Sequence, residues 1–114
     1  PSAVPPQTGP RSTTAQPLSP STRTSLVNRL EQDCFKHLWS IHKPNRMFRR
    51  LETVARVRVH RSGQIQFAGI SRSSGETRMD EAVRLTVERA TCRIPLPPGA
   101  RDFEDVDIHF ILLP

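Results

Sequence analysis

The sequence predicts an α+β domain: a three-stranded antiparallel sheet in spatial order 2-1-3, with two helices on one face, in chain order helix, strand, strand, helix, strand. The first observation behind this is a change of hydrophobic period, from helical to alternating, back to helical, and to alternating again at the end. The second is geometric. A second helix of about 12 residues covers roughly 18 Å and returns the chain to the end of the sheet where strand two began. Strand three then runs antiparallel to strand one, and the simplest place for it is beside strand one.

The elements follow in order. Pro1 to Thr24 holds six of the eleven prolines, two charges and almost nothing large and apolar, so it is expected to be a disordered linker, with the domain at 25–114. Ser25 is the expected N-cap of the first helix. Leu26, Leu30, Cys34, Leu38 and Ile41 recur at helical spacing, with Val27, Phe35 and Trp39 widening the stripe, and Pro44 stops the helix near Ile41 or His42. Asn45 is expected to cap a short helical turn through Arg46–Leu51. From Ala55 to His60, Ala55, Val57 and Val59 alternate with Arg56, Arg58 and His60, the pattern of a half-buried strand. Arg61-Ser62-Gly63-Gln64 supplies a turn, and Ile65 to about Ser71 a second strand.

After the Ser73-Ser74-Gly75 loop, Thr77-x-x-Asp80 reads as a capping box. Met79, Ala82, Val83, Val87 and Ala90 share one face of the second helix, which is expected to end near Ala90 or Thr91. Ile94-Pro95-Leu96-Pro97-Pro98-Gly99 is a rigid extended connector. The last strand, Val106–Leu113, sets Val106, Ile108, Phe110 and Leu112 on one face, with Asp107, His109, Ile111 and Leu113 on the other. As an edge, it keeps one row of backbone groups unpaired.

Composition narrows the function. Fifteen of the seventeen basic residues are Arg, and the net charge is +6, with four acids clustered at Asp102, Glu104, Asp105 and Asp107. Nucleic acid is not an expected partner: no binding motif is recognised, Tyr is absent, and the aromatics fall in apolar patterns. No run of 18 apolar residues spans a bilayer, and no signal-peptide pattern is present. The chain starts at proline and reads as a piece of something longer. His37, His42, His60 and His109 are scattered and fit no catalytic motif, so no enzyme and no cofactor are expected. Cys34 and His37 could share a helix face, but two ligands do not make a metal site. Cys34 and Cys92 are 58 positions apart in no C-x-x-C pair. Both helices pack on one sheet face, so a bridge between them stays open.

Val57-x-Val59, Gly63-x-Ile65, Ser73-Ser74-Gly75, Met79-Asp80-x-Ala82, Leu96-Pro97-Pro98 and the closing apolar strand resemble the C-terminal domain of TonB-type energy transducers, over about Pro44 to Leu113. The longer first helix and the cysteines are similar to the related TolA domain, an envelope-integrity module that binds periplasmic proteins. The resemblance implies an inner-membrane anchor and an ExbB/ExbD-type complex acting through a missing N-terminal part. It also implies a Pro-rich spacer across the periplasm and a binding domain for TonB-dependent outer-membrane receptors that take up siderophore, haem or vitamin. A receptor peptide, the TonB box, would add as a strand to Val106, Asp107, Ile108, His109, Phe110, Ile111, Leu112 and Leu113. Arg49, Arg50 and Arg72 are candidate charge contacts.

Overall fold

The computed structural model describes residues 16–45 and 48–114. The first helix is continuous but not uniform: α1 (Pro20–Arg29), a π-helical segment (Leu30–Phe35) and α2 (Lys36–His42). Then come β1 (Leu51–His60), β2 (Ile65–Arg72), α3 (Thr77–Glu88) and β3 (Phe103–Leu112). The sheet order is β2-β1-β3, with both pairs antiparallel. The expected fold class and topology are therefore observed.

The helix starts earlier than the sequence suggests. Ser19, not Ser25, is the N-cap: its hydroxyl accepts from the Thr22 N–H at 3.2 Å, and Pro20 fills the first turn. A Ser-Pro pair suits this position, because proline's missing N–H would be unpaired there anyway. Residues 16–24, expected to be linker, take part in the fold. The Gln16 N–H donates to the Gly99 carbonyl, and Leu18 packs on the core. The rest of the expected linker, 1–15, lies outside the described residues.

The π segment changes which face is buried. One extra residue per turn shifts the helical phase. Leu30, Cys34 and Phe35 are buried, Trp39 packs partly against the core, and Ile41, expected in the apolar stripe, is 59% exposed. The shift sets the Phe35 and Trp39 rings on Phe110, with centroids 5.7 and 5.2 Å apart.

Leu51 opens β1 rather than closing a helical turn, and the neighbouring 48–50 are not helical. Arg46 and Met47 of that expected turn lie outside the described residues. The inner row of β1 (Leu51, Thr53, Ala55, Val57, Val59) faces Met79, Val83 and Val87 of α3 in one core with Val106, Ile108, Phe110 and Leu112.

The capping box does not form. Thr77 is already helical, and the cap residue Glu76 makes no side-chain capping bond. Asp80 turns instead toward the preceding loop and β1. It accepts from Thr53 Oγ1 at 2.7 Å, the Ser74 N–H at 3.0 Å and the Ser74 and Ser73 hydroxyls. Burial pushes its carboxyl up, but these donors outweigh that and hold it below the ordinary range. In return the carboxylate gives the buried Thr53 hydroxyl its acceptor.

Gly63 closes the β1–β2 turn at φ 95°, and the connector packs directly on it. The Ile94 N–H donates to the Gly63 carbonyl and the Leu96 N–H to that of Arg61. A Cβ at Gly63 would lie 2.8 Å from the Ile94 and Pro95 backbone nitrogens. Gly63→Ala should therefore cost roughly 2 kcal/mol through strained backbone and displaced connector; an unchanged denaturation midpoint would contradict this packing.

Cys34 and Cys92 form a disulfide, with Cα atoms 5.6 Å apart. It ties the π segment to the chain just after α3, settling the question the sequence left open.

Candidate peptide-docking edge

No strand among the described residues covers the outer side of β3. Its register against β1 runs from Leu51↔Leu112 to His60↔Phe103. In an antiparallel pair, residues alternate between bonding the neighbour strand and pointing their backbone groups away. Two contacts fix the phase. The Asp105 carbonyl accepts from Arg23 Nη1 at 2.8 Å, and the Ile111 carbonyl from Trp39 Nε1 at 3.2 Å. Odd-numbered residues of β3 therefore aim their N–H and C=O groups outward, and even-numbered residues bond β1. The joined helix lies along this rim, with Arg23 near one end and Trp39 near the other.

The side chains divide by the same parity. Glu104, Val106, Ile108, Phe110 and Leu112 are buried toward the helices. Asp105, Asp107 and His109 lie on the open face, where they meet charges from β1 and β2. Arg58 holds Asp105 through two bonds at 2.9 and 3.1 Å and lies over the Phe103 ring. Arg56 approaches Asp107 at 3.4 Å, and the Ser71 hydroxyl donates to the same carboxylate. His109 Nδ1 lies 2.7 Å from Glu52, whose other oxygen takes Arg72 at 3.0 Å. Arg56 and Arg58, on the face of β1 opposite the core, are thus matched to the acids of β3. The His109 hydrogen bond holds Glu52 below its ordinary range, aided by Arg72 and Arg50; Arg58 does the same for Asp105. Such exposed pairs set register and charge balance more than stability.

On the helix side, a groove of about 300 Å³ runs between the rim and the helix, floored by Phe35, Ile108 and Phe110 and flanked by Glu31, Lys36 and Trp39.

Of the candidate site residues, Val106 through Leu112 belong to β3, while Leu113 lies beyond its end and is exposed. The strand also begins earlier than expected, at Phe103. Arg49 and Arg50 are exposed just before β1, and Arg72 ends β2 in its pair with Glu52. Sequence reasoning missed Arg23, placed in the linker, and Glu104. The Glu104 carboxylate is 1% exposed and accepts from Arg101 at 2.9 and 3.0 Å and from Arg23 at 2.8 Å. Its position in the inward row of β3 was the available signal: a carboxylate there needs cationic partners.

No group of three or more His, Cys, Asp or Glu among the described residues could hold a metal ion, and no helix there is long and apolar enough to cross a membrane. A small α+β module with two flanking helices and an open strand edge defines a class of domain suited to β-strand addition. The chain matches the family model for the TonB C terminus over residues 25–110 and belongs to that family. Its domains are non-enzymatic transducing and binding modules, generally periplasmic in inner-membrane-anchored proteins that interact with outer-membrane receptors. No curated protein and no solved structure matches the chain significantly.

Proposed function

We propose that this domain is the receptor-facing end of a TonB-type energy transducer, and that β3 takes the TonB box of an outer-membrane receptor as an added strand. The observation that carries this reading is the outward backbone row of β3, open at Asp107 and His109 beside an apolar groove. Proton-motive energy would arrive from an ExbB/ExbD-type inner-membrane complex through upstream sequence, and the proline-rich stretch ahead of Gln16 would serve as the spacer. Arg49 and Arg50, exposed at the end of the sheet where Arg72 also lies, are proposed contacts for acidic groups on the receptor. They should raise the on-rate at low salt.

The test uses backbone amides, because the ladder rather than side chains would carry the affinity. The His109 N–H points away from β1, so His109→Pro should leave the fold intact and weaken a receptor-derived TonB-box peptide at least about tenfold. His109→Ala keeps the amide and should change affinity by less than about threefold. Ile108→Pro and Phe110→Pro remove amides that bond β1 and should destabilise the fold itself, at a cost of ~3 kcal/mol or more. Peptide-induced amide shifts confined to β2 or the helices would rule out the docking assignment.

A further inference from the structure

We infer that Arg23 and Trp39 act as stops at the two ends of the docking edge, limiting an added strand to the backbone of Asp107 and His109. The inference rests on the reading of β3 as the docking edge and adds the register and length of peptide it accepts.

The outward row of β3 from Asp105 to Ile111 contains four residues, Asp105, Asp107, His109 and Ile111. At the outer two the carbonyl is already used, by Arg23 at 2.8 Å and by Trp39 at 3.2 Å. Neither donor is loose. Arg23 also grips the buried Glu104 at 2.8 Å, and the Trp39 ring packs edge-on against Phe110 at 5.2 Å. A guanidinium and an indole therefore stand in the lane that an incoming strand would follow. Between them, Asp107 and His109 each offer one N–H and one C=O. Four backbone hydrogen bonds fit in either strand direction, which engages about three to five peptide residues.

The middle of that window also sets side-chain chemistry. A peptide residue opposite Ile108 points to the helix side, because side chains directly across a ladder share a face. There it enters the groove floored by Phe35, Ile108 and Phe110. An apolar side chain is favoured at that position. Its neighbours in the peptide face Asp107 and His109 on the open side and can be polar.

The test follows amide exchange in the full chain with two peptides from one outer-membrane receptor's TonB box. One has five residues and the other eight, both acetylated and amidated. In the unsubstituted protein, both peptides should protect Asp107 and His109 and leave Asp105 and Ile111 exchanging freely, and the two affinities should agree within about twofold. Trp39→Phe keeps a ring on Phe110 but removes the indole donor. It should extend protection to Ile111 and raise affinity for the eight-residue peptide at least about fivefold, the worth of one of the two further ladder bonds that Ile111 offers, with the five-residue peptide unchanged. Protection of Asp105 or Ile111 equal to that of Asp107 in the unsubstituted protein would overturn the stops while leaving β3 as the docking edge. A Trp39→Phe variant that stays folded and shows no length dependence would overturn them too. Failure to protect any β3 amide would remove the docking reading and this inference together.

Discussion

Replacing Cys34 and Cys92 by serine will strongly destabilise this domain. The bridge joins the π segment to the chain after α3 across a separation of 58 residues. In a chain-entropy account, a loop of that size contributes up to ~4 kcal/mol by restricting the unfolded chain. A single domain of this size is stable by only about 5–15 kcal/mol, so the bridge supplies a large share. The expected result is a fall in thermal midpoint of roughly 15 °C or more, reproduced in the unsubstituted protein by reductant. Thiol counting on the unfolded protein without reductant should find none. Two reactive thiols, or equal midpoints with and without reductant, would sink the prediction. Because Phe35 follows Cys34 and floors the groove beside β3, the cross-link also holds part of that groove in place.

Glu104→Gln is expected to cost about 2 kcal/mol and to flatten the acid limb of the stability profile. Removing one partner of a fully buried ion pair costs roughly 3–5 kcal/mol. The effect here is smaller because Arg23 and Arg101 are 38% and 49% exposed and can turn to water. The hydrogen bonds from Arg101 hold the Glu104 carboxyl below its ordinary range against the opposing effect of burial, and Arg23 adds to this. A lowered folded pKa means that the unfolded chain binds the proton more readily. The contribution is therefore complete above the ordinary carboxylate value of 4.5 and disappears as pH falls through the lower folded value. Urea midpoints from pH 7 down to 3 should fall steeply below about 4.5 in the unsubstituted protein. Asp80 and Asp105 are shifted the same way and will keep part of that slope in the variant. An unchanged slope in Glu104→Gln would show that the buried carboxylate is not the acid-sensitive group.

Much of this fold is legible in local pattern. The alternation of Val57 and Val59 with Arg56 and Arg58 placed β1, and the same alternation at Val106, Ile108 and Phe110 placed β3 and its inward row. Gly63 announced the turn that it makes. The candidate edge followed from topology, because strand order leaves β3 with one neighbour. Local pattern failed where a residue had alternative partners. Thr77-x-x-Asp80 has the spacing of a capping box, yet Thr53 on β1 and the Ser73-Ser74 loop offer Asp80 better donors. Ser25 could cap a helix, but Ser19-Pro20 starts one earlier because Leu18 and Arg23 find partners in the folded domain.

What the sequence by itself determined is the order of elements and the inward faces of the strands and of α3, because periods of two and 3.6 residues are written in neighbouring positions; its short motifs carried the resemblance to the family. What only the tertiary structure decided is which distant side chains meet. The Cys34–Cys92 bridge, the Arg23–Glu104 pair and the Trp39 bond to Ile111 join residues 58, 81 and 72 positions apart. Each depends on how the helix lies against the sheet, and the π segment turns that helix by a phase that an α-helical reading of its apolar stripe does not contain.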